Sequence, residues 1–267
     1  MAVLPARGII EVTGVDRLSF LQGLVSNDVQ RASPGYPVFA ALLTPQGKWL
    51  ADFLIFAEPD RLLLDVEAGH IAMLLQKLSR FRLRMKVALA DISGNIVIYV
   101  GWDGPPPDGA SPDPRLAALG WRMIAAPGLA TNATPDDWDA HRLALGVADG
   151  SKDLEADKTV LLEAGYDELA GISWTKGCYM GQELTARTKY RGLLKRRLVR
   201  LTVDGKLPAP GTPILRNGVD VGTMRSGRGK VGLAVLRLDA IGAELTAGET
   251  IMRAAPPDWM RLPEPGA

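Results

Sequence analysis

Residues 9–12 are a short apolar run that predicts a strand, and Asp16 after it can cap a helix running to Val25, with Leu18, Leu21 and Val25 on one face. Three further apolar runs, 38–43, 48–56 and 62–66, read as a strand meander, with Thr44-Pro45-Gln46-Gly47 and Glu58-Pro59-Asp60 as its turns. Ile71, Leu74, Leu75 and Leu78 recur at helical spacing and predict an amphipathic helix. Residues 87–90 and 96–100 predict two more strands. Strands and helices follow one another without strict alternation, so the pattern predicts an α+β fold rather than a doubly wound sheet.

Five prolines between residues 103 and 115 predict a surface loop or hinge. Residues 141–147 and 157–164 read as helical segments. After Leu193 the pattern changes to short strands with glycine turns, at 198–203, 213–215, 219–224, 231–236 and 249–252, as in a small β-barrel. The proline-rich tail from Ala255 reads as loose.

The bulk numbers narrow the field. A chain of 267 residues with 47% hydrophobic and 23% charged residues can bury one large core or two modest ones. A net charge of +1 gives no global field directed at nucleic acid or an anionic membrane. No stretch approaches the roughly 18 apolar residues of a membrane span, and no signal peptide or transit segment is expected, so the cytoplasm is the expected compartment. One cysteine and two histidines, His70 and His141, cannot by themselves cage a transition metal or an iron–sulfur cluster, so no metal site is expected.

That cysteine sits in Lys176-Gly177-Cys178-Tyr179-Met180-Gly181-Gln182-Glu183. An isolated cysteine is by default a small buried hydrophobe. Two glycines, a cation and a Gln-Glu pair make a poor core, which favours a functional thiol. The Lys176 ammonium, and a helix beginning near Glu183, would both favour the thiolate of Cys178.

Lys-Gly-Cys-Tyr-x-Gly-Gln-Glu resembles the signature of the YgfZ family, folate-binding proteins that support iron–sulfur enzymes and are related to the glycine-cleavage T-protein, GcvT. The likeness continues in residues 20–29, Leu162-Glu163-Ala164-Gly165, Ile172-Ser173-Trp174 and the Val221-Gly222-Thr223 turn, and it is weak from 102 to 135. The resemblance implies a GcvT-like folate-binding region over residues 1–193, divisible near residue 90, then a barrel over 194–255 and a tail over 256–267. The resemblance itself allows the bacterial cytoplasm or the mitochondrial matrix, and with no Arg/Ser-rich transit segment the cytoplasm is expected ahead of the matrix.

By the same resemblance Glu163 matches the carboxylate that holds the pterin ring of tetrahydrofolate or a one-carbon derivative, where a carboxylate accepts two adjacent N–H groups. Asp52 matches the T-protein's catalytic acid position, while Ala51 replaces that family's first acid. Asn27 and Asp28 could touch the ligand or simply form an Asx turn. Gly177, Gln182 and Arg187 complete the expected cofactor set, with Cys178, Lys176 and Asp52 as the reactive set. Seven cations from Arg187 to Arg200, with no acid among them, could receive a folate's glutamyl tail, an acidic partner or tRNA phosphates, ranked in that order. The first functional expectation is a folate-dependent accessory factor whose partners are iron–sulfur assembly proteins or client enzymes, with no membrane partner. The second is an aminomethyl transferase using Asp52, and the third a folate-sensing binding module with no covalent step.

Overall fold

The computed structural model describes residues 1–262. The chain runs through β1 (Ala2–Val3), β2 (Arg7–Thr13), α1 (Arg17–Gln22), β3 (Val38–Leu43), β4 (Trp49–Ala57), β5 (Arg61–Glu67), α2 (Ile71–Arg82), β6 (Ala88–Asp91) and β7 (Val97–Gly101). It continues through β8 (Ser111–Pro112), β9 (Trp121–Ala125), α3 (Pro135–Ala144) and α4 (Gln182–Tyr190). The last strands are β10 (Arg196–Asp204), β11 (Pro213–Arg216), β12 (Val219–Arg228), β13 (Val231–Arg237), β14 (Glu244–Ala247) and β15 (Thr250–Ala254).

The first sheet has the order β3-β4-β5-β2-β6, a second has β1-β7-β9-β8, and the last six strands close a barrel, β10-β13-β12-β11-β14-β15. Every residue of β3 is buried because both faces of its sheet are covered. Alternation along the strand sends Val38, Ala40 and Leu42 toward Phe20 and Leu21 of α1 and Leu74 and Leu78 of α2. It sends Phe39, Ala41 and Leu43 to the other face, against Leu161, Leu162 and Tyr166. Leu198 and Leu233 project from the barrel into that second core and dock the barrel there. The architecture is α+β with a C-terminal barrel, as the sequence pattern predicts, but the barrel has six strands, because β14 (Glu244–Ala247) joins the five that the pattern marks.

Several expected elements differ. The helix after Asp16 stops at Gln22 instead of Val25. Leu18 is exposed and Phe20 takes the buried position. The Asp16 carboxylate accepts from the Lys86 N–H at 2.7 Å instead of capping the helix. The helix expected at 141–147 runs from Pro135 to Ala144, because Thr134 and Asp137 form a capping box with proline at the first turn. Of 157–164, only Leu161–Ala164 is helical, a single 3-10 turn closed by Gly165 at φ 77°. The loop at 103–115 is not wholly superficial, since Ser111 and Asp113 are buried and Asp113 accepts from Arg115 and Arg122. The tail is docked as far as it is described. Trp259 Nε1 donates to Leu145 O at 2.8 Å, and Met260 joins the barrel core. The expected loose residues 263–267 lie outside the described residues.

Candidate functional site

The segment holding the thiol is fixed on both sides of it. Before it, Ser173 N–H donates to Ser26 O at 3.0 Å, and Lys176 Nζ donates to Val25 O and Asn27 O at 2.8 and 2.7 Å. After it, the Tyr179 side chain enters the second core and Met180 packs against the first. Met180 N–H donates to Gly23 O at 3.3 Å. Gly181 stands at φ 83°, and a Cβ there would lie 2.7 Å from Thr44 O, so the chain passes close over the turn between β3 and β4. Gly177 and Cys178 are left exposed between these anchors.

Lys176 is placed differently from the sequence expectation. Its ammonium turns inward to two backbone carbonyls, lies 5.2 Å from the Tyr179 ring centroid, and makes no hydrogen bond to Cys178 among the described residues. Burial lowers its pKa to about 8, and the charge of Asp28 opposes that shift. It acts as a clamp on the loop.

Asn27 and Asp28 are also structural. Asn27 Nδ2 donates to Phe39 O at 2.8 Å and Ala170 O at 2.6 Å, while its Oδ1 accepts from Asp28 N–H. Asp28 Oδ1 accepts from Gln22 Nε2 and from Gln30 N–H, capping the turn that follows. Of the two options left open for this pair, the turn is the one formed. Gln182 Oε1 accepts from Tyr179 N–H at 3.3 Å at the start of α4, and Arg187 lies exposed on that helix.

Asp52 is buried on β4 and accepts a short hydrogen bond from the Tyr166 hydroxyl. Burial raises its pKa, opposed by Arg7 and by that hydrogen bond. Around it lies a charged cluster that the sequence reading missed. Asp65 accepts from Arg7 Nε at 2.6 Å and from Arg122 at 2.7 Å, and Arg122 Nε reaches Asp113 at 3.0 Å. Arg115 closes on Asp113 through two contacts of 2.9 and 2.7 Å. These pairs tie the first sheet to the second. Their members are scattered in sequence and carry no shared spacing, so no local signal announces them.

Glu163 occupies a separate setting, on the rim of a cleft of about 380 Å³ that Lys158, Lys195, Arg196 and Arg225 also line. One carboxylate oxygen accepts from Val160 N–H at 3.3 Å, and burial raises its pKa against the pull of Val160, Lys48 and Arg196. The basic stretch divides. Arg197 is buried on Glu168 and Leu162 O, and Lys189 pairs with Asp167, whereas Lys195 and Arg196 reach the cleft. The structure thus brings Lys176, Asn27 and Asp28 together beneath the Cys178 loop and leaves Asp52 and Glu163 with different neighbours.

Residues 195–262 match the family model described as the CAF17 C-terminal beta-barrel domain. The chain is 32% identical to the human mitochondrial iron–sulfur cluster assembly factor IBA57, over 96% of this chain and 84% of the human protein. It is 36% identical to the mitochondrial IBA57 homolog of Mycosarcoma maydis over 76% of this chain, and it spans only 57% of that protein's length. Among solved structures, the glycine cleavage system aminomethyltransferase T of Bartonella henselae superposes with a TM-score of 0.76 at 15% identity, covering 98% of this chain and 86% of that one. That likeness establishes the GcvT-like fold. The expectation of a bacterial cytoplasmic protein is corrected here, because the relatives at this similarity are named as mitochondrial proteins.

Proposed function

Since the chain belongs to the IBA57 family of iron–sulfur cluster assembly factors, we propose that it serves in the assembly of iron–sulfur proteins and that Cys178 is the thiol it offers to a cluster-carrying partner. The YgfZ likeness drawn from the signature is kinship to a related family. The observation that carries the reading is the exposure of the sole thiol on a loop whose flanks are held by Lys176 and Met180. Clusters are held by about four thiolate or imidazole ligands. One protein thiol therefore supplies one position, and the remaining ligands come from the partner. A rigid loop suits this division, because a preplaced ligand loses little conformational entropy when the shared cluster forms.

Tetrahydrofolate, or a one-carbon derivative, is the second part of the proposal, and the residues fit it in part. Glu163 offers a half-buried carboxyl with a single weak backbone donor, and Lys195 and Arg196 supply cations for an acidic tail. Asn27 fits poorly, since its amide is spent on the fold, whereas Asp28 uses only Oδ1 there and keeps Oδ2 without a partner among the described residues. Bound folate would supply a one-carbon carrier.

The test is transfer of a [2Fe–2S] cluster to an apo-ferredoxin from a cluster-loaded scaffold protein, followed by visible absorbance. Wild type should accelerate transfer and Cys178→Ser should not, with unchanged thermal stability. Equal acceleration by both proteins would remove the thiol from the proposal.

A further inference from the structure

The geometry points to an acidic, amphipathic protein segment as the occupant of the surface formed by the C-terminal end of α2 and the outer side of α1. Leu83 caps α2 at φ 45° and ψ −114°, a conformation that bulky residues rarely adopt, and its side chain is 88% exposed. Phe81 beside it is exposed, and Val15, just ahead of α1, is 76% exposed. A leucine held in a strained backbone and pushed into water has no role in the fold's own cores.

Charge identifies the occupant. From residue 68 to residue 90 the chain has no acid, and Arg80, Arg82, Arg84 and Lys86 alternate with Phe81, Leu83 and Met85. These four cations are exposed and form no ion pair among the described residues. Between them and α1 lies an open apolar hollow of about 620 Å³ lined by Asp16, Leu83, Arg84 and Met85. Apolar side chains flanked by the unpaired cations at 80–86, with the Asp16 carboxylate at the hollow's edge held by the Lys86 N–H, complement a helix that carries leucines on one stripe and carboxylates beside it.

Position favours a protein over a lipid surface. Lys86 N–H bonds the Asp16 carboxylate at the start of α1, and Gly23 O at its end accepts from Met180 in the Cys178 loop. Six helical residues span roughly 9 Å, so a segment lying along α1 would end beside the thiol. This direction rests on the reading of Cys178 as the thiol presented to a partner; the docking itself does not.

The test uses the full chain and a helical peptide of about 20 residues with glutamates on one face and leucines on the other. Peptide binding is read by anisotropy. Its approach to the sole thiol is read by quenching of a bimane on Cys178 by a tryptophan at one peptide end. Wild type should bind the peptide and show quenching. The double variant Arg80→Glu/Arg84→Glu, and separately Leu83→Ser, should weaken binding about tenfold or more. The same reversal at exposed Lys206, on the barrel, should not. Equal binding by all four proteins, or no binding by wild type, overturns the proposal. So does cosedimentation with vesicles of equimolar phosphatidylcholine and phosphatidylglycerol when the peptide fails to bind. Cys178→Ser should keep full peptide affinity. Peptide binding together with undiminished cluster transfer by Cys178→Ser is failure of the thiol reading alone, whereas loss of transfer in Cys178→Ser with no peptide binding by wild type is failure of this one alone.

Discussion

The Lys176 ammonium donates to the carbonyl oxygen of Asn27 at 2.7 Å, and Asn27 in turn ties itself to Phe39 and Ala170. The cation next to the thiol in sequence is thus a clamp that fastens the Cys178 loop to the segment after α1. Lys176→Met leaves the carbonyls of Val25 and Asn27 without their donor, and stability should fall by about 1–3 kcal/mol in urea unfolding at neutral pH.

The same lysine has a pH signature. Its folded pKa is lowered to about 8 from 10.5, so between those values the unfolded chain binds more protons than the folded one. Stability attributable to Lys176 therefore rises as pH climbs from about 8 to about 10.5 and is flat below. The shift corresponds to at most about 3 kcal/mol, and solvent screening of the ammonium reduces it, so wild type should gain roughly 1–3 kcal/mol relative to Lys176→Met across that window. A constant difference between the two proteins would show that the ammonium is not desolvated in the fold.

The two glycines that flank Cys178 should behave differently. Gly181→Ala places a Cβ 2.7 Å from Thr44 O at φ 83°, which should cost about 1–3 kcal/mol and displace the loop. Gly177 has open space around the same position, and Gly177→Ala should stay within about 0.5 kcal/mol of wild type. Thermal unfolding of the pair checks this. Equal losses would mean that the loop is not anchored where Gly181 crosses the turn.

What could be read in advance follows from physical range. The meander, α2 and the barrel strands announce themselves by local periodicity, and β3 shows as an unbroken apolar run because two cores cover it. The start of α3 lay in its capping residues, Thr134 to Asp137, rather than in apolar spacing. At the site, the exposure of Cys178 follows from the poor core-forming character of Gly177 and its neighbours. The direction of the Lys176 side chain does not, because its acceptors lie about 150 residues away in sequence. Asp52 was marked only by the family resemblance, and its burial against Tyr166, 114 residues distant, has no local signal. Contacts of that kind are set by how the two faces of the first sheet are covered, which no local pattern encodes.

Arg122 bridges two buried carboxylates, Asp65 and Asp113, so its loss should be severe. Arg122→Met should destabilise by roughly 3–5 kcal/mol, since it strands charges away from water. Burial alone would raise the Asp113 pKa, but Arg115 overrides it and, with help from Arg122, holds the carboxyl well below the usual range. A depressed folded pKa gives stability that is full above the unfolded value of about 3.9 and lost as pH falls below it. The advantage of wild type over Arg122→Met should accordingly shrink as pH falls from about 4 toward about 2. Urea midpoints measured across that interval check it, and an advantage that grows on acidification would contradict the assignment of charge.

The folate half of the proposal depends on Glu163. A pterin offers adjacent N–H donors, so the ionised carboxylate is the binding form, and glutamine replaces one acceptor with a donor. Charge-assisted hydrogen bonds contribute about 1.5–3 kcal/mol, so Glu163→Gln should weaken tetrahydrofolate binding roughly tenfold to a hundredfold in anaerobic fluorescence titration. Burial raises the Glu163 pKa above 4.5, which puts its protonation within reach of mild acid. Wild-type affinity should therefore decline as pH drops toward that value, while the affinity of Glu163→Gln stays level. Binding that is equal in the two proteins, or independent of pH in both, would move any folate away from this cleft and leave Lys195 and Arg196 to some other anion.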